Sequence, residues 1–299
     1  MTVTAAPASA PTRPARARAA AGGPRRGRRP VLLAAAGLVI ALVFLAPYLI
    51  MIIGSFKPRA EILAVPPSYL PRHWQPDNYV TLWSTPETPL PLNLISTVVI
   101  SVCATLLVLV VATPAAYYTA RHRFPGRGAF LLVVLASQML QPTVLAAGLF
   151  REFVAIGLND TWLAMILVNA AFNLSFAVWI MHSFFAGIPV EIEEAATLDG
   201  ATRLQTLGRV TLPLVWPGIV TAIVFTFVAS WNEFAASLVI LSTAANQPLS
   251  VALTKFVGQY DSAWQYVFAI SVVAIVPVVV LFALIERRLV GGLTAGAVK

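Results

Sequence analysis

The sequence predicts an all-α integral membrane protein with six transmembrane helices, and three observations carry that reading. Of the 299 residues 59% are apolar and only 11% charged, with a mean hydropathy of +0.82. A soluble domain of this length needs more charge to cover its surface, so the excess apolar surface must face lipid. Apolar runs long enough to cross a bilayer recur along the chain. The basic residues behind the net charge of +8 sit in short segments at the edges of those runs, which is a topology signal and not a nucleic-acid-binding patch.

The elements follow in order. Residues 1–29 are mostly Ala, Pro, Gly and Arg without apolar periodicity, predicting a disordered basic tail ahead of a membrane domain over residues 30–299. The seven arginines of the tail (Arg13, Arg16, Arg18, Arg25, Arg26, Arg28, Arg29) suit anionic headgroups. Val31–Ile53 then runs apolar for 23 residues. At about 1.5 Å per residue this crosses a hydrocarbon core of roughly 30 Å. Its length, with no small-x-small site after it, favours a retained anchor over a cleaved signal peptide.

Further spans are expected at Leu94–Tyr117, Ala129–Leu149, Trp162–Phe185, Leu212–Ile240 and Tyr266–Ile285. Ser137, Gln138, Gln141 and Pro142 interrupt the third, as in a kinked packing helix or a helix beside a water-filled path. Six spans put both termini on one side. The tail, the 118–128 loop, the 186–211 loop and the C-terminus carry fifteen Lys and Arg, against five (Lys57, Arg59, Arg72, Arg151, Lys255) in the alternate segments. The positive-inside rule places both ends in the cytoplasm. Outside lie a proline- and aromatic-rich connector, 54–93, and a polar loop, Ser242–Ser262. The single cysteine, Cys103, has no disulfide partner, and no Cys/His metal spacing occurs, so neither a metal nor a cofactor is expected.

The most informative segment joins spans four and five. Pro189 suits a first helical turn, and Glu191, Glu193 and Glu194 put negative charge at the positive end of the helix dipole. Glu191, Glu194, Ala195 and Leu198 share one face, and small Ala195 and Ala196 leave room for a second surface. Asp199-Gly200 supplies a turn, Ala201–Val210 a short amphipathic helix, and Leu212-Pro213 the return to the membrane. The result is an acidic helix–turn–helix knob on the cytoplasmic face.

Glu194-Ala195-Ala196, Asp199-Gly200-Ala201 and Leu212-Pro213, at these offsets, resemble the EAA loop of permease subunits in binding-protein-dependent ABC importers. Leu207 and Val210 stand where that family commonly has phenylalanine and isoleucine. Lys57-Pro58, Arg121–Arg127, Trp231-Asn232-Glu233-Phe234 and the ending Gly292–Lys299 resemble the carbohydrate branch, in particular its maltose-type second permease. The resemblance covers most of residues 31–299 and leaves out the basic tail. It implies the type I ABC importer permease fold, with a cytoplasmic coupling helix over Glu191–Leu198, and half of the path for a sugar or related solute.

The partners implied are a second permease subunit, a dimer of ABC ATPases and an extracytoplasmic solute-binding protein. Glu194 would contact the ATPase and Gly200 would seat the turn. The 242–263 loop would meet the binding protein, and Gly292–Lys299 would reach towards the ATPase. The chain holds no G-x-x-x-x-G-K-[ST] loop, so ATP would be hydrolysed by another subunit, and the chain itself is not expected to be an enzyme.

Glu233 is the one acid within the expected spans; it would tie helices together near the path, or mark a proton or solute site. Its neighbours Trp231 and Asn232 fall in the same group of candidates, as do Asn169, Asn173 and Ser175, at helical spacing, for interhelical hydrogen bonds or path lining. The tryptophans, Trp231 included, suit interfacial belts better than a sugar-stacking platform. Two other classes fit poorly. An intramembrane enzyme needs facing catalytic groups, and an ion-coupled secondary transporter ordinarily shows repeats and several buried ionisable groups.

Overall fold

A computed structural model describes residues 28–85, 88–258 and 262–295. Apart from Arg28 and Arg29, the basic tail lies outside the described residues, as do the last four residues of the C-terminal segment. The elements run α1 (Arg28–Ser55), α2 (Arg59–Ile62), α3 (Asp77–Ser84), α4 (Leu90–Arg121), α5 (Arg127–Ser137), α6 (Pro142–Ala155) and α7 (Trp162–Ala186). They continue through α8 (Val190–Leu198), α9 (Arg203–Thr206), a π-helical turn (Leu207–Thr211), α10 (Leu212–Leu214), α11 (Trp216–Trp231) and α12 (Ala235–Ile240). Last come α13 (Leu249–Ala252), a 3₁₀ turn (Leu253–Phe256) and α14 (Trp264–Ala295). Among the described residues there is no strand, only one antiparallel bridge between Val257 and Ser262.

The chain forms two units, one ending at Pro47 and one running from Tyr48. In the first, residues 32–47 are helical and display apolar side chains such as Leu33, Val43 and Phe44. The second is a helix bundle built on the parallel pair α4 and α7, with α11 laid against both and α14 against α11. Alanines at the contact (Ala112, Ala116, Ala170, Ala177) let the backbones approach closely, the usual basis of helix packing in lipid. Outward faces of the long helices stay apolar: Leu106, Val110, Phe225 and Val279 are all exposed. Among the described residues four helices are long and apolar enough to cross a membrane, and two bent pairs bring the number to six if each pair is one span.

One bent pair falls where the sequence interrupts the third span, and the other corrects the expectation of a continuous fifth. The third expected span is α5 and α6, turned by 92° at the break over 138–141. Gln141 precedes Pro142 and is extended (φ −91°, ψ 138°), because the proline ring disfavours the helical region for the residue before it. The fifth expected span, Leu212–Ile240, is also not one helix. The 203–214 segment meets α11 at 76°, with Pro213 and Pro217 flanking the bend. The span breaks again between Trp231 and Ala235.

α4 starts earlier than expected and, at 32 residues, is about 48 Å long. That exceeds a hydrocarbon core of roughly 30 Å, so α4 is longer than an apolar layer is thick. The connector after α1 folds back through Asn78, whose amide donates to the carbonyls of Ser55 (2.9 Å) and Lys57 (3.1 Å).

Candidate functional site

α8 forms the knob that the sequence locates. It begins after Pro189 and carries Glu191 and Glu193 in its first turn, where the helix dipole favours carboxylates. Its end explains the spacing of Glu-Ala-Ala and Asp-Gly-Ala. The N–H of Gly200 donates to the carbonyl of Thr197 and that of Ala201 to the carbonyl of Ala196, both at 3.0 Å. This is a Schellman closure, and it needs a left-handed residue at Gly200, whose φ is +86°. Two residues on, Thr202 and Gln205 form a capping box that starts α9. The expected helix Ala201–Val210 is therefore one capped α turn followed by the π turn.

The outer face of α8 is open. Glu191, Glu194, Ala195, Asp199 and Gly200 are exposed, Ala196 and Ala201 half-buried, and Leu198 is 89% exposed. Leu204 on α9 is 81% exposed. A cavity of about 520 Å³ opens beside this face, lined by Tyr117, Arg121, Glu194, Leu198 and Arg203 among others.

Glu193 does the opposite. It turns inward, with only 9% exposure. Its Oε1 accepts from Arg121 Nε (2.9 Å) and Thr211 Oγ1 (3.0 Å), and its Oε2 from the Tyr117 hydroxyl (3.0 Å). Arg121 Nη2 lies 2.8 Å from Oε1, and Nη1 donates to the Ile188 carbonyl at 2.9 Å. The sequence reading missed this cluster, although Glu193 sits opposite Glu191 and Leu198 on the helical wheel.

The candidates within the spans divide between local hydrogen bonds and links between helices. Glu233 falls in the break after α11, where its carboxylate accepts from the N–H groups of Ala236 (2.7 Å) and Ser237 (3.0 Å) and from Ser237 Oγ (2.6 Å). It caps the first turn of α12 and does not bridge helices through its side chain, because an interrupted helix leaves N–H groups that a carboxylate can satisfy. The Asn169 and Asn173 amides also stay local, donating to Met165 (2.9 Å) and Asn169 (2.8 Å) carbonyls of α7. Asparagine within a helix can satisfy itself on the carbonyl four residues back, and here it does. Ser175 does link helices, through a 2.6 Å hydrogen bond with Ser137 of α5.

Trp231 is buried within the bundle. Its indole donates to the Ala274 carbonyl of α14 at 3.2 Å. Asn232 is exposed at the break and donates to Val228.

At the other end of the bundle the 241–249 segment is held from two sides. Asp160 accepts from the N–H groups of Ser242 and Thr243, both at 3.0 Å, and from the Thr243 hydroxyl. Asn93 of α4 donates to Ala244 and Gln247 carbonyls, both at 2.6 Å. Burial alone would raise the Asp160 pKa, but the hydrogen bonds it receives from Thr243, Ser242 and Asn246 outweigh it and hold the carboxyl below its ordinary value.

This architecture has known counterparts. The family described as "Binding-protein-dependent transport system inner membrane component" matches residues 109–292. The inner membrane ABC transporter permease protein YcjP of Escherichia coli is 34% identical over 264 residues, 88% of this chain and 94% of that protein. The trehalose/maltose transport system permease protein MalG of Thermococcus litoralis is 30% identical over 270 residues, 90% of this chain and 96% of that protein. The diacetylchitobiose uptake system permease protein DasC of Streptomyces coelicolor is 31% identical over 262 residues, 88% of this chain and 94% of that protein. A solved bacterial ABC transporter involved in import of the polysaccharide alginate shares the fold, with a TM-score of 0.72 at 23% identity over 88% of this chain and 97% of that one. The chain belongs to the family of inner membrane components of binding-protein-dependent transport systems, and its fold is that of ABC importer permeases.

Proposed function

We propose that this permease forms one half of the import path for a sugar or related solute and is driven through α8 by a separate ATPase subunit. The observation that carries the proposal is the outer face of α8. Glu191, Glu194 and the almost fully exposed Leu198 are presented together on a helix fixed at both ends. Covering a leucine side chain is worth about 1.5–3 kcal/mol, so this face favours a protein partner. The acidic pair suits a groove with basic residues.

Arg121, Arg203 and Arg209 gather at this end of the bundle, which supports placing it, and both termini, in the cytoplasm. The opposite end, with the segment held by Asp160 and Asn93, then faces the solute-binding protein. A second permease subunit covers the exposed apolar helix faces and completes the path. The sugar assignment rests on relatives named for trehalose/maltose and diacetylchitobiose. With ATP hydrolysed elsewhere, the chain is not itself an enzyme.

Glu194→Lys tests the reading in vesicles holding the whole transporter. The variant is expected to insert normally but to lose both uptake and the stimulation of ATP hydrolysis by loaded binding protein. Normal uptake by Glu194→Lys would refute the docking role.

A further inference from the structure

The inward cluster at Glu193 serves a purpose that the docking face does not need. A carboxylate on α8 could project into water beside Glu191 and Glu194 at no cost, yet this one is withdrawn and met by donors from two distant elements. Tyr117 and Arg121 close the long helix α4, and Thr211 closes the π turn that leads through α10 into α11. The side chains of Arg121 and Glu193 are 8% and 11% exposed. A buried ion pair is a poor device for stability, because desolvation offsets most of the attraction. Its best-attested use is to fix one geometry.

The covalent chain already ties α8 to α7 through Gly187–Pro189 and to α11 through α9 and the π turn. It gives no tie to α4, whose end lies 72 residues earlier in sequence than Glu193. The cluster supplies that tie at two points, since Arg121 holds both the Glu193 carboxylate and the Ile188 carbonyl just ahead of α8. We infer that Glu193 and Arg121 are positioning residues that clamp α8 to the end of α4, so that a displacement of α8 moves α4, α7 and α11 as one body. The inference rests on the reading that α8 is the surface driven by the ATPase. Without the clamp α8 could still dock, but its movement would reach α4 only indirectly, through the packing of α4 on α7 and α11.

The test uses the complete transporter, with binding protein and ATPase, in nanodiscs and vesicles. Spin labels go on exposed positions on the two sides of the clamp and off the docking face, Arg123→Cys after α4 and Ile192→Cys on α8, in a Cys103→Ala background. The unaltered clamp is expected to give one narrow distance distribution that keeps its width with and without ATP. Glu193→Gln keeps the shape and removes the charge. It is expected to broaden the distribution and to lower solute moved per ATP hydrolysed at least fivefold. Arg121→Gln should do the same, and Glu193→Asp should recover part of the ratio.

Should the charge variants fail to insert, Tyr117→Phe with Thr211→Val decides the matter. It removes two donors, leaves the ion pair, and is expected to broaden the distribution to a smaller extent. An unchanged distribution and an unchanged ratio in Glu193→Gln, or in the hydroxyl variant where the charge variants do not insert, would overturn the clamp. Loss of uptake in Glu194→Lys beside a normal Glu193→Gln would sink the clamp alone, whereas normal uptake in Glu194→Lys would sink the docking reading beneath it.

Discussion

Substitution at Gly200 separates backbone conformation from size as the reason for a glycine in this loop. An added Cβ meets nothing within 4 Å, so no neighbour excludes a side chain. The constraint is φ, at +86°. A left-handed backbone costs an L-residue roughly 1–2 kcal/mol, least for Asn and most for β-branched residues. Relaxing to negative φ would instead forfeit the two 3.0 Å bonds from Gly200 and Ala201 that close α8. With nine residues, α8 is too short to persist without them. A cost of 1–2 kcal/mol lowers the population of closed knob about 5–30-fold relative to frayed forms. Uptake per ATP in reconstituted vesicles should therefore fall in the order Gly, Asn, Asp, Ala, Val. The key comparison is Ala against Asn, because Ala is smaller and yet should be worse. If Ala behaved as glycine does while Asn failed, size and not φ would govern, and the argument would be wrong.

Other expectations follow from single contacts. At Gly218 a Cβ would lie 2.5 Å from the Phe184 ring carbon that joins its side chain to α7. Gly218→Ala should therefore destabilise the bundle by an overpacking cost of about 1–3 kcal/mol, seen as a lower Tm in detergent, and Phe184→Ala should offset part of it; additive effects would exclude the contact. Asp160 has a depressed pKa, so its contribution is fully present above the ordinary value of 3.8 and is lost only as pH falls through its lower folded value. Protection of the 241–247 segment in hydrogen exchange, corrected for intrinsic rates, should be flat from about pH 5 to 8. Asp160→Asn, which tolerates the left-handed φ of 58° at this position, should lose that protection at every pH. Protection that fell between pH 8 and 6 would contradict the assignment.

How far the sequence reached depends on which forces were local. Spans two, four and six were legible because lipid-facing helices need long apolar runs, and the α8 knob because helix caps and left-handed turns have residue signatures. The breaks in spans three and five were only partly legible. Pro142 announces the first, but Trp231-Asn232-Glu233-Phe234 carries no proline, and its break is stabilised by Glu233 reaching forward to Ala236 and Ser237. The Thr202–Gln205 capping box was readable from spacing and was overlooked. The Glu193–Arg121 pair was only half readable, since the helical wheel sets Glu193 apart from Glu191 and Leu198 but nothing local chooses burial for it over a solvated flank. That choice is made by Arg121, Tyr117 and Thr211, brought there by the packing of α4 on α7. Asp160 and Asn93 are hidden for the same reason, holding a segment more than eighty residues away.

The claim on which the rest depends is that the outer face of α8 meets an ATPase subunit. Leu198→Cys in a Cys103→Ala background places one thiol at an exposed site on that face. A short bifunctional thiol–amine reagent applied to inside-out vesicles of the whole transporter should join the chain to the ATPase subunit in high yield. A membrane-impermeant maleimide applied to sealed right-side-out vesicles should leave the thiol unlabelled. Labelling from outside, or a thiol that crosses to no ATPase while uptake remains normal, would contradict the account.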